Sequence, residues 1–292
     1  MQPSQPAKLS TVDEAQYGTR SCRVAILTNG MRVVMTSDLS SALSAASMSV
    51  RVGSFMDPED IPGLAHLLEH VLFLGTEKYP NNGEFRTFLA ERGGATNANT
   101  SSTVSTFHYY VRDEHGKEAL ARFSEFFRSP LLSADTVEEE VEIVHSEFES
   151  MLYSDPHRQL QVMRGTSSKQ NPFSRILIGT RDTLLQDRLK LHSRLKCFFE
   201  EHYSANLMNL TVLSSQPLDA IESWILEFFS AVPNRHRPLQ IPMSNNAFDS
   251  VSCLKKIHRI CSVQGYRNLS LMFEINHDEL RNCKIDFNIW KG

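Results

Sequence analysis

Apolar positions along the first third of the chain recur at two different spacings. In Arg23-Val24-Ala25-Ile26-Leu27-Thr28 and Met31-Arg32-Val33-Val34-Met35 they form short runs rich in β-branched residues, joined by Asn29-Gly30. Asn-Gly between two such runs is a two-residue turn signal, so the pair predicts a β-hairpin. Ala45 to Phe55 alternates well enough for a third strand. The period then changes. Apolar residues at 64, 67, 68, 71, 72 and 74 fit helical spacing, and Pro62 suits the entry to that helix.

Beyond it, Tyr79-Pro80-Asn81-Asn82-Gly83 reads as a turn, and residues 84–92 as a helix ended by Gly93-Gly94. Residues 97–103 and 106–112 read as a second strand pair, and 116–128 and 134–153 as two helices. A further helix and loop are expected over 159–173, then a helix over 187–202 leading into a strand at 207–213. Pro217 opens a last helix, through about Ala231. This order predicts an α+β fold: an antiparallel-rich β-sheet packed by α-helices largely on one side. Residues 1–20 read as a flexible lead-in, 21–232 as one domain and 233–250 as a linker with Pro and Asn at its start. Residues 251–292 read as the truncated start of a second unit, opened by strands at 254–263 and 268–275.

Composition narrows the function classes. At 292 residues, with 41% hydrophobic and 22% charged residues, the chain is an ordinary globular one. A net charge of −4 and a pI near 6.3 give no support for nucleic-acid binding. No apolar run reaches membrane-spanning length, so no membrane role is expected. Cys22, Cys197, Cys253, Cys261 and Cys283 are scattered and odd in number, which points to reduced thiols in a cytoplasmic setting. Arg20 and Arg23, beside Asp13 and Glu14, are too few for a mitochondrial presequence.

The candidate chemistry lies in the first helix, at His66-Leu67-Leu68-Glu69-His70. With 3.6 residues per turn, His66 and His70 stand one above the other and Glu69 lies beside His70. Such a trio could be a solvated stripe. This helix is otherwise strongly apolar, however, and burying two imidazoles and a carboxylate is unfavourable unless they find partners. A divalent cation satisfies the imidazoles and leaves the carboxylate as a base beside a water. The third ligand must come from elsewhere. The run Thr136 to Glu149 offers Glu138, Glu139, Glu140, Glu142, Glu147 and Glu149, and spacing alone does not choose among them.

The order His-x-x-Glu-His is the inverted zincin motif. Together with its surroundings it resembles the M16 (pitrilysin) metallopeptidases, in particular their insulysin-like branch. The likeness runs from about Thr28 to Phe273. It takes in Gly53-Ser54-Phe55-Met56-Asp57-Pro58, Gly75-Thr76-Glu77-Lys78-Tyr79-Pro80, Gly93-Gly94-Ala95-Thr96-Asn97-Ala98, Asn171-Pro172-Phe173-Ser174 and Tyr203-Ser204-Ala205-Asn206-Leu207-Met208.

The resemblance implies a zinc endopeptidase acting on oligopeptides, with one Zn2+ per chain held by His66, His70 and Glu147. Glu140 supports the site from behind, and Glu69 is the general base. His145 is expected to be a surface or packing residue. The stretch matching Gly94 to Asn99 is the family's edge strand, to which an extended peptide adds, with Asn97 and Ala98 touching its backbone. Asn99 departs from an aromatic common at that position. In the family a second half closes the chamber and supplies an Arg and a Tyr without counterparts here. A partner M16-like half or a homo-oligomer is therefore expected for full activity. The alternative is a non-catalytic zinc-binding scaffold of the same fold, and it predicts an eroded motif, whereas the His, Glu69 and both downstream Glu are intact here.

Overall fold

The computed structural model describes residues 9–240, 247–248, 256–265 and 267–271. Its strands are β1 (Leu9–Tyr17), β2 (Arg20–Leu27), β3 (Arg32–Asp38), β4 (Leu43–Val50), β5 (Ala95–Thr100), β6 (Ser105–Arg112) and β7 (Met208–Ser214). They form one sheet in the order β1-β2-β3-β7-β4-β6-β5. Every neighbouring pair is antiparallel except β3 and β7, which run parallel. The expected α+β class is what the chain adopts.

Alternation decides which face is covered. In β4 and β6 every second residue is buried, placing Met48, Val50, Phe107, Tyr109 and Val111 on the inner face. Helices cover that face: α1 (Leu64–Val71), α2 (Glu84–Glu91), α3 (Gly116–Arg128), α4 (Ala134–Met151), α7 (Arg188–His202) and α8 (Leu218–Phe229). The aromatic rings of α3 fill the space between. Phe123 meets Tyr109 edge-on at 5.1 Å, and Phe127 meets Phe107 at 5.6 Å.

Contacts divide the chain into two units. The sheet and these helices make up the larger, Met1–Met151 with Arg175–Met243, which also holds a short α6 (Arg181–Leu184). Leu152–Ser174 groups with Ser244–Gly292 in the smaller unit, which contains α5 (Asp155–Thr166). There the Asp155 carboxylate accepts hydrogen bonds from Ser262 Oγ at 2.6 Å and from the amides of Val263 and Gln264 at 3.0 and 3.1 Å.

Three sequence expectations need correction. The flexible lead-in over 1–20 contains β1, which pairs with β2 through a Gly18-Thr19 turn; residues 1–8 lie outside the described residues. Asp13 and Glu14 break the apolar alternation in the sequence, and charged residues are common on edge strands such as this one. The third strand ends at Val50 rather than Phe55. The Ser54 and Phe55 amides turn away to donate to Ser101 and Ser102 carbonyls, starting a 3₁₀ turn over Ser54–Met56. The strands expected at 254–263 and 268–275 are absent where those residues are described: 256–263 and 268–271 are irregular and mostly exposed, and no described strand pairs with them. Residues 254–255 and 272–275 lie outside the described residues. Among the described residues, no helix is long and apolar enough to cross a membrane.

Asp113, just past β6, ties three strand ends together. Its Oδ1 accepts from Ser44 Oγ at 2.5 Å, Ser214 Oγ at 2.7 Å and the Ser215 amide at 2.9 Å, and the Ser215 hydroxyl donates to Oδ2. Burial alone would raise its pKa, but the donors from Ser215, Ser44 and Ser214 outweigh it and hold the carboxyl at about 2. A group depressed in the folded state stabilises above its ordinary pKa and loses that contribution as pH falls through the folded value. Asp113→Asn is therefore expected to lower unfolding free energy at pH 7 by about 1–3 kcal/mol. The gap from wild type, followed by urea denaturation, should close as pH drops from about 4 to about 2.

Candidate metal centre

Helix α1 buries seven of its eight residues, all but His70. Its start is fastened rather than left to fray. The Asp57 carboxylate accepts from the Gly63 and Ala65 amides, both at 2.8 Å, which satisfies donors that have no partner inside the helix. Burial raises the Asp57 pKa to about 7 despite those two bonds. Arg175 holds the same loop, donating to the Asp57 carbonyl at 2.8 Å. Gly63 sits at φ +98°, and a Cβ there would lie 2.2 Å from the Cα of Gly179. Only glycine permits both that backbone and that approach.

The approach has a purpose one residue away. It sets the Ile178 carbonyl 3.0 Å from His66 Nδ1. A carbonyl can only accept, so Nδ1 carries the proton and Nε2 keeps its lone pair. His70 is fixed the same way by a different partner, with Nδ1 2.7 Å from Glu140 Oε1. Both Nε2 atoms then face Glu147 Oε2, at 3.7 Å from His66 and 3.3 Å from His70. One ligand atom from each of His66, His70 and Glu147 lies within 4.8 Å of the others. Tetrahedral ligands bonded to one small cation stand roughly 3.3 Å apart, close to the 3.7 and 3.3 Å that separate the two Nε2 atoms from Glu147 Oε2. Imidazole donors whose Nδ1 atoms are already hydrogen-bonded, with a carboxylate beside them, suit such an ion.

The electrostatics agree with that fit. Burial lowers the His66 pKa, and the neighbouring His70 lowers it further. Burial would depress His70 too, but hydrogen bonds to Glu140 and Glu147 push it up to about 9. Without a cation, His70 is therefore held as an imidazolium between Glu140 and Glu147. Glu69 is 7% exposed, and its Oε2 accepts a hydrogen bond from Thr100 Oγ1. Burial raises its pKa, and the Thr100 bond offsets this in part. It stands outside the converging trio.

Thr100 ends β5, so the helix carrying the histidines is joined to the sheet's outer strand. β5 pairs with β6 on one side and with no other described strand. Asn97 and Asn99 are exposed on its outer face, whereas Ala98 is half-buried on the face that carries Thr100. His145, two residues before Glu147, lies apart from the trio and accepts the Arg181 amide at 3.5 Å. Sequence reasoning missed Asp57, Thr100 and Ile178. Asp57 had a signal, as a carboxylate just upstream of a helix entry at Pro62; Ile178 had none, because any residue supplies a carbonyl.

Two outcomes follow from this geometry. Gly63→Ala should lower unfolding free energy by about 2–4 kcal/mol in urea denaturation, from left-handed strain plus the clash with Gly179. Because His70 must give up its proton to bind a cation, binding at pH 7 should release about one proton per ion. Calorimetry in buffers of different ionisation enthalpy measures that release, and affinity should rise with pH until about 9.

Comparison with known proteins places this chain in a family. The family model described as Insulinase (Peptidase family M16) matches residues 32–181, and that described as Peptidase M16 inactive domain matches 191–272. Insulin-degrading enzyme of Drosophila melanogaster is 37% identical over 233 residues, 78% of this chain and 24% of that protein. Nardilysin of Rattus norvegicus is 38% identical over 230 residues, 74% of this chain and 20% of that protein. The crystal structure of pitrilysin superposes with a TM-score of 0.76 at 30% identity, covering 81% of this chain and 26% of that one. This chain thus spans about a quarter of the length of these relatives. With over half of it matched by the insulinase model, the chain belongs to the M16 peptidase family.

Proposed function

We propose that this chain carries the active site of a zinc endopeptidase that hydrolyses oligopeptides. The observation that carries the reading is the meeting of His66, His70 and Glu147 with Glu69 held beside them. Zinc held by these three side chains would supply Lewis acidity toward a water and the scissile carbonyl. Glu69 accepts the water proton and passes it to the leaving amine, and burial moves its pKa toward the working pH. Glu140 orients His70 from behind, as the Ile178 carbonyl orients His66. The free side of β5 takes the peptide as an added strand, with Asn97 and Ala98 bonding its backbone near the scissile bond.

Since the chain spans about a quarter of the length of its peptidase relatives, we assign full activity to an assembly that includes a second M16-like half. The proposed layout keeps 21–232 as the catalytic domain and 251–292 as the opening of a second M16-like domain.

Glu69→Gln should keep one zinc per chain while cleavage of an internally quenched peptide falls about 10²–10⁴-fold. His66→Ala and Glu147→Ala should lose the metal, measured as zinc per chain. Chelation should silence cleavage and added zinc restore it. A Glu69→Gln chain that cleaves at the wild-type rate removes the base assignment. Zinc-loaded wild type that never cleaves, even with a second half supplied, removes the peptidase reading.

A further inference from the structure

Glu69 is the one member of the His-x-x-Glu-His run whose partner comes from the sheet. Its Oε2 takes the hydroxyl hydrogen of Thr100, the last residue of β5. Thr100 is 6% exposed; its one hydroxyl hydrogen goes to Glu69, and its oxygen lies 3.2 Å from Ser105 Oγ, whose own hydrogen goes to the Val52 carbonyl at 2.9 Å. Ser105 opens β6 and is Thr100's register partner, so the pairing of β5 with β6 places this hydroxyl. No water-exposed group takes part in the row Glu69–Thr100–Ser105–Val52.

We propose that Thr100 is a positioning residue, which pins one oxygen of the Glu69 carboxylate to the outer strand and leaves the other free to handle the proton. The inference rests on the proposed peptidase reading and deepens it. A peptide added to β5 would be registered by the main chain of Asn97 and Ala98. Thr100 lies on the same short strand, two residues past Ala98. The base and the peptide would then share one rigid reference, and any slide of the strand would move both together. Such shared reference is what holds reacting groups in an attack geometry, where a displacement of about 1 Å is enough for a hundredfold loss. The Thr100 hydroxyl donates to Glu69, which is not one of the three proposed ligands, so metal content should not depend on it.

Two substitutions separate positioning from packing. Thr100→Val keeps the shape and removes the hydroxyl; Thr100→Ser keeps the hydroxyl and removes a methyl. In the zinc-loaded chain, Thr100→Val should retain one zinc and lose about 10–100-fold in kcat with KM within about threefold. Thr100→Ser should stay within about threefold of wild type. Independently of turnover, crystal structures of the zinc-loaded variants should show the Glu69 carboxylate rotated or split in Thr100→Val and unmoved in Thr100→Ser. A Glu69 carboxylate unmoved in Thr100→Val overturns the proposal, as does loss of zinc in both variants, which would make Thr100 a packing residue. Glu69→Gln run alongside tells the two readings apart: if it cleaves like wild type the base assignment fails, while the carboxylate position still decides Thr100.

Discussion

Helix α1 carries two imidazoles and a carboxylate among apolar side chains, and each must find a partner or the helix cannot stay buried. The partners are four residues from three separated parts of the chain: the Ile178 carbonyl, Glu140 and Glu147 of α4, and Thr100 of β5. The need for satisfaction thus dictates what packs around α1. Each back-side bond also turns an Nε2 atom inward. Solvation of a buried polar set and preparation of a ligand set are here one arrangement.

Holding that set in register takes rigidity at the helix start. Asp57 and Arg175 bind the entry loop, and Gly63 against Gly179 brings the carbonyl into reach of His66. On the other side, Glu140 and Glu147 lie two turns apart on α4 and address opposite nitrogens of the same His70 ring. The ring is clamped along its length, which leaves it one orientation.

Much of this was legible in the chain. The Asn-Gly hairpin, the helical period of α1 and most later elements follow from local patterns, because turn chemistry and amphipathic spacing act over a few residues. The pair His66 and His70 was legible for the same reason. Glu147 was not, since α4 presents six glutamates and only tertiary packing selects the two that face α1; a family resemblance supplied the choice. β1 escaped because Asp13 and Glu14 interrupt its apolar alternation. Ser54 and Phe55 left the strand pattern for carbonyls on a distant loop, a competition that no local period reveals.

The place of β7 has a kinetic consequence. It is the last of the described strands yet the fourth in the sheet, the bridge between β1-β2-β3 and β4-β6-β5. Before it arrives, the two sides are separate small sheets with no common core, and joining them requires contacts across most of the chain's length. Distant pairing of this kind makes assembly slow relative to helix formation. The seven-stranded sheet is therefore completed only once residues 208–214 have been made, and its two sides are joined by the strand that is synthesised last among those described.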